Sequence, residues 1–283
     1  MEITKHVEQY RKDLMLKNYS PNTIENYVSQ VTGFLHHFNA AFTDVSRINE
    51  NAIKDWLMLA KSINSRKHRI SAVKLFYHLT VKQPLKFKHI EYPRADKKLP
   101  IVLSQQEIQR MFDVCENLKH RCILALLYAC GIRVSELINL KWKNIDRSRM
   151  VINIIAAKGN KDRQVQLPSS IIPLLEQYYR KYRSVEYVFN GQNNNIQYTS
   201  ISVRQLIKQL AEKAEIKHKR IYTHLIRHTS ATHLLENGVD VSIIQKILGH
   251  SNPNTTALYT HISHNLISKT YSPIEGIRIY KTI

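Results

Sequence analysis

The chain has 283 residues, enough for two domains of ordinary size, each with its own hydrophobic core. Lysine and arginine number 42 against 22 acidic residues, which gives a formal net charge of +20 at pH 7. Because the basic residues run from Lys5 to Lys281, the charge indicates nucleic acid as the partner before a membrane surface, with loose anion binding as the alternative. The sequence shows no membrane span and no glycine-rich phosphate-binding loop, so neither a membrane protein nor an ATP-binding protein is indicated.

Residues 1–82 predict a helical domain. Ser20 followed by Pro21 predicts the start of one helix, because serine caps helix N-termini and proline is favoured at the first helical position. Apolar residues at intervals of three and four predict two further helices, over residues 53–60 and 64–79.

The third of these helices begins with a basic run that contains Arg66, Lys67 and Arg69. Helix N-terminal amides and basic side chains attract the same anion, so we predict that these three residues contact DNA. A solvated, charged turn is the alternative.

Residues 83–100 lack helical periodicity and contain prolines and several lysines, which predicts a basic linker. Ser104 with Glu107 three residues later predicts a capping box that opens the second domain, residues 101–283, which ends in a C-terminal tail. Two strands are predicted there, over 150–156 and 164–167, with helices around them.

The compartment is predicted from two features. Residues 1–11 carry charges of both signs and no apolar segment, so no secretory signal is indicated and we expect a cytoplasmic protein. The cysteines Cys115, Cys122 and Cys130 lack C-x-x-C spacing, so we expect buried small hydrophobic side chains rather than disulfides or zinc ligands.

Several separated segments of the second domain carry polar residues that a lone helix or hairpin does not need. They are Arg133 in GIRVSEL, Lys158 in the hairpin turn KGNK, His224 and Arg227 on one face of THLIRHTSATHLLENG, His250 in ILGHS, and Tyr259 in TTALYTH. Taken singly, each has an ordinary explanation, such as a surface ion pair between Arg133 and Glu136 or a solvated turn lysine. Their combination and order favour a shared site.

These segments, in this order, resemble the signature segments of the tyrosine recombinases, or phage-type integrases, and most closely their compact Xer-like members. The resemblance covers residues 98–264, and the first 92 residues are similar in pattern to the family's SAM-like, helical DNA-clamping domain. It implies a mainly helical chain with a small β-sheet, in which an α+β catalytic domain follows the clamp. It also implies a site-specific recombinase that cuts and rejoins DNA through a 3′-phosphotyrosine, for integration and excision or for dimer resolution.

Carried over by residue, the resemblance implies an active site of Arg133, Lys158, His224, Arg227, His250 and Tyr259, with Glu136 orienting the first arginine. In some members tryptophan replaces the histidine at 250, so packing and one hydrogen bond suffice there.

The chemistry of these residues supports the assignment. Two guanidiniums can hold the non-bridging phosphate oxygens bidentately, and a tyrosine with a pKa of about 10 needs a base, for which His224 is the candidate. Lys158 is the candidate acid for the leaving 5′ oxygen. No cofactor is expected, neither ATP nor a metal, because carboxylates are not clustered in the sequence and Leu225 stands where a zinc hydrolase carries glutamate.

The resemblance also implies double-stranded DNA with an inverted-repeat site as the partner, four subunits around two duplexes at synapsis, and a place at the nucleoid. Beyond Tyr259, apolar residues at near-helical spacing predict a stripe formed by Ile262, Leu266, Ile267 and Tyr271. We expect this tail to dock on a neighbouring protomer, and folding back on its own domain is the alternative.

Two other functions stay open on the sequence. One is a nicking and resealing activity like that of type IB topoisomerases or telomere resolvases, which the compact length disfavours. The other is a catalytically idle DNA-binding regulator of the same fold, which would have no reason to keep both Lys158 and Tyr259.

Overall fold

The computed structural model describes residues 2–94, 101–155, 162–191, 196–217 and 221–249. The chain divides into two compact units, Met1–Lys97 and Lys98–Ile283. The described residues are mainly helical with one small sheet, so the predicted fold class is confirmed.

The described part of the first unit contains four α-helices that pack around an aromatic core. They are α1 (Ile3–Leu16), α2 (Pro21–Phe38), α3 (Glu50–Met58) and α4 (Ile63–Leu79). Helix α2 begins as predicted, because the Ser20 side chain accepts a hydrogen bond from the Thr23 amide at 3.3 Å. Phe34 is fully buried, and its ring meets the Trp56 ring edge to face with 5.1 Å between centroids.

The segment that follows α4 continues this core. A 3₁₀ helix spans Pro84–Phe87, and both Phe87 and Ile90 are buried in the same cluster as the four helices. The first part of the predicted linker, 83–100, therefore packs with the first unit. Residues 95–100 lie outside the described residues, and the linker and the domain boundaries stay a prediction.

The second unit begins with three helices and a three-stranded antiparallel sheet. The helices are α5 (Gln105–Asp113), α6 (Leu118–Ala129) and α7 (Val134–Ile138), and the strands are β1 (Ile145–Asp146), β2 (Val151–Ile154) and β3 (Arg163–Gln166), in that order across the sheet. The capping box at Ser104 and Glu107 is confirmed. Strands β2 and β3 confirm the predicted pair, whereas β1 was not predicted.

Four helices complete the described part of this unit: α8 (Ile172–Tyr182), α9 (Ser200–Lys213), α10 (Thr223–Glu236) and α11 (Val241–Leu248). Helix α6 packs against α8, α9 and α10, and half of its residues are buried. Cys122, Cys115 and Cys130 are free and buried, as predicted. Helix α10, which carries two of the predicted site residues, is therefore held against the centre of the unit.

Candidate active site

The turn between α6 and α7 brings two segments of the chain close together. Gly131 has a φ of +57°, a left-handed conformation that favours glycine, and a Cβ there would come within 3.0 Å of the Leu248 side chain. The turn therefore lies against the end of α11. Arg133 follows immediately, at the start of α7.

Arg227, on α10, lies beneath this turn. The residue is only 5% exposed, and its Nη1 donates a hydrogen bond to the Gly131 carbonyl oxygen at 2.6 Å. Its Nη2 donates to the Leu248 carbonyl oxygen. Because a buried charge is tolerated only with good hydrogen bonds, these carbonyls fix the guanidinium in place.

Arg133 also donates a hydrogen bond to the end of α11. Its Nη2 donates to the Gly249 carbonyl oxygen at 3.2 Å, and its Nη1 donates to a Glu136 carboxylate oxygen at 2.8 Å. The two arginines, 94 residues apart in sequence, thus meet at the end of α11. The Arg133 side chain keeps 25% of its surface exposed, so it can reach a ligand.

His224 lies one turn before Arg227 on α10 and is exposed. The pKa of its imidazole is lowered, first by partial loss of hydration and then by the positive charges of Arg227 and Arg133. The structure thus brings three predicted site residues together, and their combined charge favours a neutral imidazole.

Glu136 is the acidic centre of this cluster. One carboxylate oxygen accepts from the Arg133 side chain, and the other accepts from the Arg133 amide at 2.7 Å. Both oxygens also accept hydrogen bonds from Arg163. Burial alone would raise the pKa of Glu136, but the hydrogen bonds from Arg163 and Arg133 outweigh it and lower the pKa to about 2.

Arg163 was not among the predicted site residues. It is the first residue of β3, five positions after Lys158, and its side chain is 9% exposed. The sequence offered one signal, a further arginine in the basic hairpin segment. Its partners, Glu136 and Ile247, lie 27 and 84 positions away, so spacing alone could not reveal the contact.

Hydrogen bonds of other polar residues also hold α10 in place. The Thr229 hydroxyl accepts a hydrogen bond from the Leu103 amide at 3.0 Å, and the Tyr128 hydroxyl lies 2.8 Å from His233 Nδ1. These contacts join α10 to α6 and to the segment before α5. The helix that carries His224 and Arg227 is therefore held in one position.

The predicted DNA contacts of the first unit lie on the first turns of α4. Arg69 has a structural role there, because its guanidinium lies 4.5 Å from the centre of the Trp56 ring and donates to the Trp56 carbonyl oxygen at 3.0 Å. This contact joins α4 to α3. The DNA contacts of Arg66, Lys67 and Arg69 stay a prediction.

Lys158, His250 and Tyr259, and the predicted tail, lie outside the described residues. Within the ranges that the structure describes, no group of three or more histidine, cysteine, aspartate or glutamate side chains could hold a metal ion. In the same ranges, no helix has both the length and the apolar character needed to cross a membrane.

Comparisons with known proteins define the class. A model of the phage integrase family matches residues 102–265, and a model of the phage integrase N-terminal SAM-like domain matches residues 7–83. The chain therefore belongs to the phage integrase family, as the signature segments predicted.

Its relatives are tyrosine recombinases. The chain is 33% identical over 279 residues to tyrosine recombinase XerC of Bacillus pumilus, with 90% of each chain covered. It is 30% identical over 283 residues to tyrosine recombinase XerA of Pyrococcus horikoshii, covering 98% of this chain and 95% of the relative. The fold is similar to that of XerH bound to palindromic difH substrate in a post-cleavage complex, with a TM-score of 0.74 and 22% identity over 93% of this chain and 83% of that one.

The chain is thus a tyrosine recombinase, an enzyme that cleaves and rejoins DNA in site-specific recombination. Neither the family models nor the relatives favour the idle regulator or the topoisomerase-like enzyme.

Proposed function

We propose that Arg133, Lys158, His224, Arg227, His250 and Tyr259 form the active site of this recombinase, with Glu136 in support. The observation that carries the proposal is the convergence of Arg133 and Arg227 at the C-terminal end of α11, close enough to His224 that both charges lower its pKa. A site that binds a phosphodiester needs such a cluster of fixed positive charge.

The described residues suit two parts of the reaction. Arg133 and Arg227 stabilise the negative charge that develops on the non-bridging phosphate oxygens, since guanidinium groups bind such oxygens bidentately. His224 accepts the proton of the attacking tyrosine, and its lowered pKa favours the neutral form that a base requires near pH 7.

Cleavage forms one bond and breaks another. The Tyr259 hydroxyl oxygen attacks the phosphorus, its proton passes to His224, and the bond between phosphorus and the 5′ oxygen breaks. Lys158 protonates that 5′ oxygen, and His250 donates a hydrogen bond to the phosphate. The 3′-phosphotyrosine linkage conserves the energy of the phosphodiester bond. Attack by the 5′ hydroxyl of a partner strand therefore reverses the step without ATP.

The proposed substrate is double-stranded DNA with an inverted-repeat site, bound in the cytoplasm at the nucleoid. Support comes from the formal charge of +20, from the basic start of α4, and from the XerH structure with its palindromic DNA. We infer that Arg66, Lys67 and Arg69 contact the DNA backbone.

We also propose a tetramer on two duplexes, in which the tail docks on a neighbouring protomer through its apolar stripe. A chain that ends at Ser263 should bind DNA as a folded monomer but lose synapsis, measured by mobility of paired duplexes in a native gel. If truncation unfolds the catalytic unit, the tail belongs to its own core and trans docking is wrong.

The experiment that tests the active site is covalent capture. The full chain is incubated with fragments of the source organism's genomic DNA and denatured, and the DNA that stays attached is sequenced. Attachment-like repeats in the captured site would indicate an integrating element, and their absence would indicate dimer resolution. A nicked duplex with this site then serves as the probe.

Tyr259→Phe should abolish the covalent complex on this duplex while leaving DNA affinity nearly unchanged, because only the nucleophilic oxygen is removed. Tyr222→Phe is the matched control, since Tyr222 is 43% exposed and directly precedes the helix of His224 and Arg227. Covalent DNA on Tyr259→Phe would contradict the proposal.

A further inference from the structure

The position of Arg133 depends on the Glu136 carboxylate, which binds two arginine side chains at the same time. Glu136 accepts from Arg163 Nη1 at 2.7 Å and from Arg163 Nη2 at 2.8 Å, a bidentate contact, and it accepts from Arg133 Nη1 at 2.8 Å. The three side chains of Glu136, Arg163 and Arg133 therefore carry two positive charges and one negative charge. One unit of positive charge remains uncompensated.

The two arginines differ in what they can still reach. All three nitrogens of the Arg163 side chain donate to protein oxygens, including Nε to the Ile247 carbonyl oxygen at 2.8 Å, and the side chain is 9% exposed. The Arg133 side chain is 25% exposed. Because every nitrogen of Arg163 already donates to a protein oxygen, Arg163 acts through its protein partners, whereas Arg133 keeps exposed surface that a phosphate can contact.

Gly249 shows how closely Arg163 is built into the end of α11. Its φ is +61°, and a Cβ there would lie 2.7 Å from Arg163 Cδ, closer than a Cβ atom approaches such a neighbour, and 3.1 Å from Arg163 Nε. The carbonyl oxygen of the same glycine accepts the hydrogen bond of Arg133 Nη2. Arg163 therefore packs against the residue that holds Arg133 and that precedes His250.

We propose that Arg163 is a positioning residue for strand cleavage, which neutralises Glu136 so that the charge of Arg133 stays available to the phosphate. The proposal rests on the proposed role of Arg133. Without Arg163, the Glu136 carboxylate would pair with Arg133 alone and cancel its charge. Arg163 also joins β3, the start of α7 and the end of α11, so it fixes the geometry of the site together with its charge.

The test is a double-mutant cycle on the nicked duplex defined by covalent capture, with the native chain, Arg163→Met, Glu136→Gln and the double variant. Arg163→Met should slow formation of the covalent complex by about 10- to 100-fold, because small displacements of a catalytic group have effects of this size, while DNA affinity changes little. Arg163→Met with Glu136→Gln should regain at least about tenfold of that rate, because the unpaired carboxylate is gone. If Arg163 acted only in folding, the recovery would follow the melting temperature, and the folded fraction of Arg163→Met would cleave at the native rate.

Two further variants keep the test decisive. Arg147→Met is the matched control, since Arg147 forms a 2.6 Å ion pair with Glu176 at an exposed position, and its cleavage rate should equal that of the native chain. Arg163→Gln removes the charge but keeps hydrogen-bond donors, so it replaces Arg163→Met in the cycle if the methionine variant does not fold. Melting temperature is measured for every variant.

The outcomes separate this inference from the proposed function. Cleavage at the native rate by Arg163→Met, or a double variant no faster than the single one, overturns the role of Arg163 while Tyr259→Phe remains inactive. Covalent DNA on Tyr259→Phe overturns the proposed active site instead.

Discussion

The two units bury different kinds of side chain. Among the described residues, the first unit buries apolar and aromatic groups, and its fully buried tyrosines Tyr10 and Tyr77 each donate to a backbone carbonyl oxygen at 2.9 Å. The second unit also buries polar and charged side chains. They are Glu107, Asn144, Ser184, Asn190, Arg227, Thr229, Ser230, Thr232 and His233.

The free-energy cost of burying polar groups explains this difference. Burying a polar group costs free energy unless hydrogen bonds replace water, so a core that only supports a surface favours apolar residues. Five of the buried polar residues belong to α10, the helix that carries His224 and Arg227. The second unit thus accepts desolvation to fix charged groups, whereas the first unit buries no charged side chain among its described residues.

The largest expected effect distinguishes the role of Lys158 from that of Arg227 in strand cleavage. Lys158→Ala should lose cleavage of ordinary DNA, by about 100- to 1,000-fold, and should recover it on DNA with sulfur at the 5′ bridging position, because a thiolate leaves without an acid. Arg227→Ala should lose cleavage on both substrates, because its partners are the non-bridging oxygens. Rates of covalent complex formation on the two duplexes measure this.

A residue of the first unit supplies the control. Lys67→Ala should weaken DNA binding but leave the cleavage rate at saturating protein unchanged, with no response to sulfur. If Lys158→Ala behaves like Lys67→Ala, the lysine binds DNA and is not the acid. Recovery by Arg227→Ala on the sulfur substrate would contradict its assignment to the phosphate oxygens.

A smaller effect concerns acid stability. Burial lowers the pKa of His228 from 6.5 to about 4, with smaller contributions from the charges of His224 and Arg227. The unfolded chain therefore binds this proton first, and the free energy of unfolding falls as the pH drops from about 6.5 towards 4. Glu136, with a pKa of about 2, adds a further loss as the pH falls from 4.5 towards 2.

His228→Gln should therefore flatten the loss of stability between pH 7.5 and pH 5 by about 1 to 2 kcal/mol, after allowance for partial exposure. Urea unfolding at the two pH values measures it. His36→Gln, on the exposed surface of α2, is the matched control and should keep the native pH dependence. An unchanged slope in His228→Gln would show that this imidazole does not cause the acid sensitivity.

The sequence predicts different features in the two units. In the first unit, local periodicity and the Ser20 cap were enough to predict α2, α3 and α4, because each helix buries one face and shows it in the sequence. In the second unit, the signature segments identified Arg133, His224 and Arg227, which the structure brings together. Strand β1 was missed because two residues carry no alternation.

Arg163 shows the limit of local reasoning in physical terms. A strand arginine is ordinarily solvated, and only the fold places Glu136 and the Ile247 carbonyl oxygen around it. Gly249 ends α11 in the left-handed conformation, with a φ of +61°. Its second role, close contact with the Arg163 side chain, depends on a partner 86 positions away.

The most direct measurement of the central claim is to map the attached peptide. The covalent complex on the nicked duplex is digested with trypsin and nuclease, and the peptide that carries a nucleotide is sequenced by mass spectrometry. The account predicts the peptide of residues 247–269, in which Tyr259 is the sole tyrosine. A nucleotide on the peptide of residues 221–227, which contains Tyr222, or on that of residues 270–278, which contains Tyr271, would contradict it.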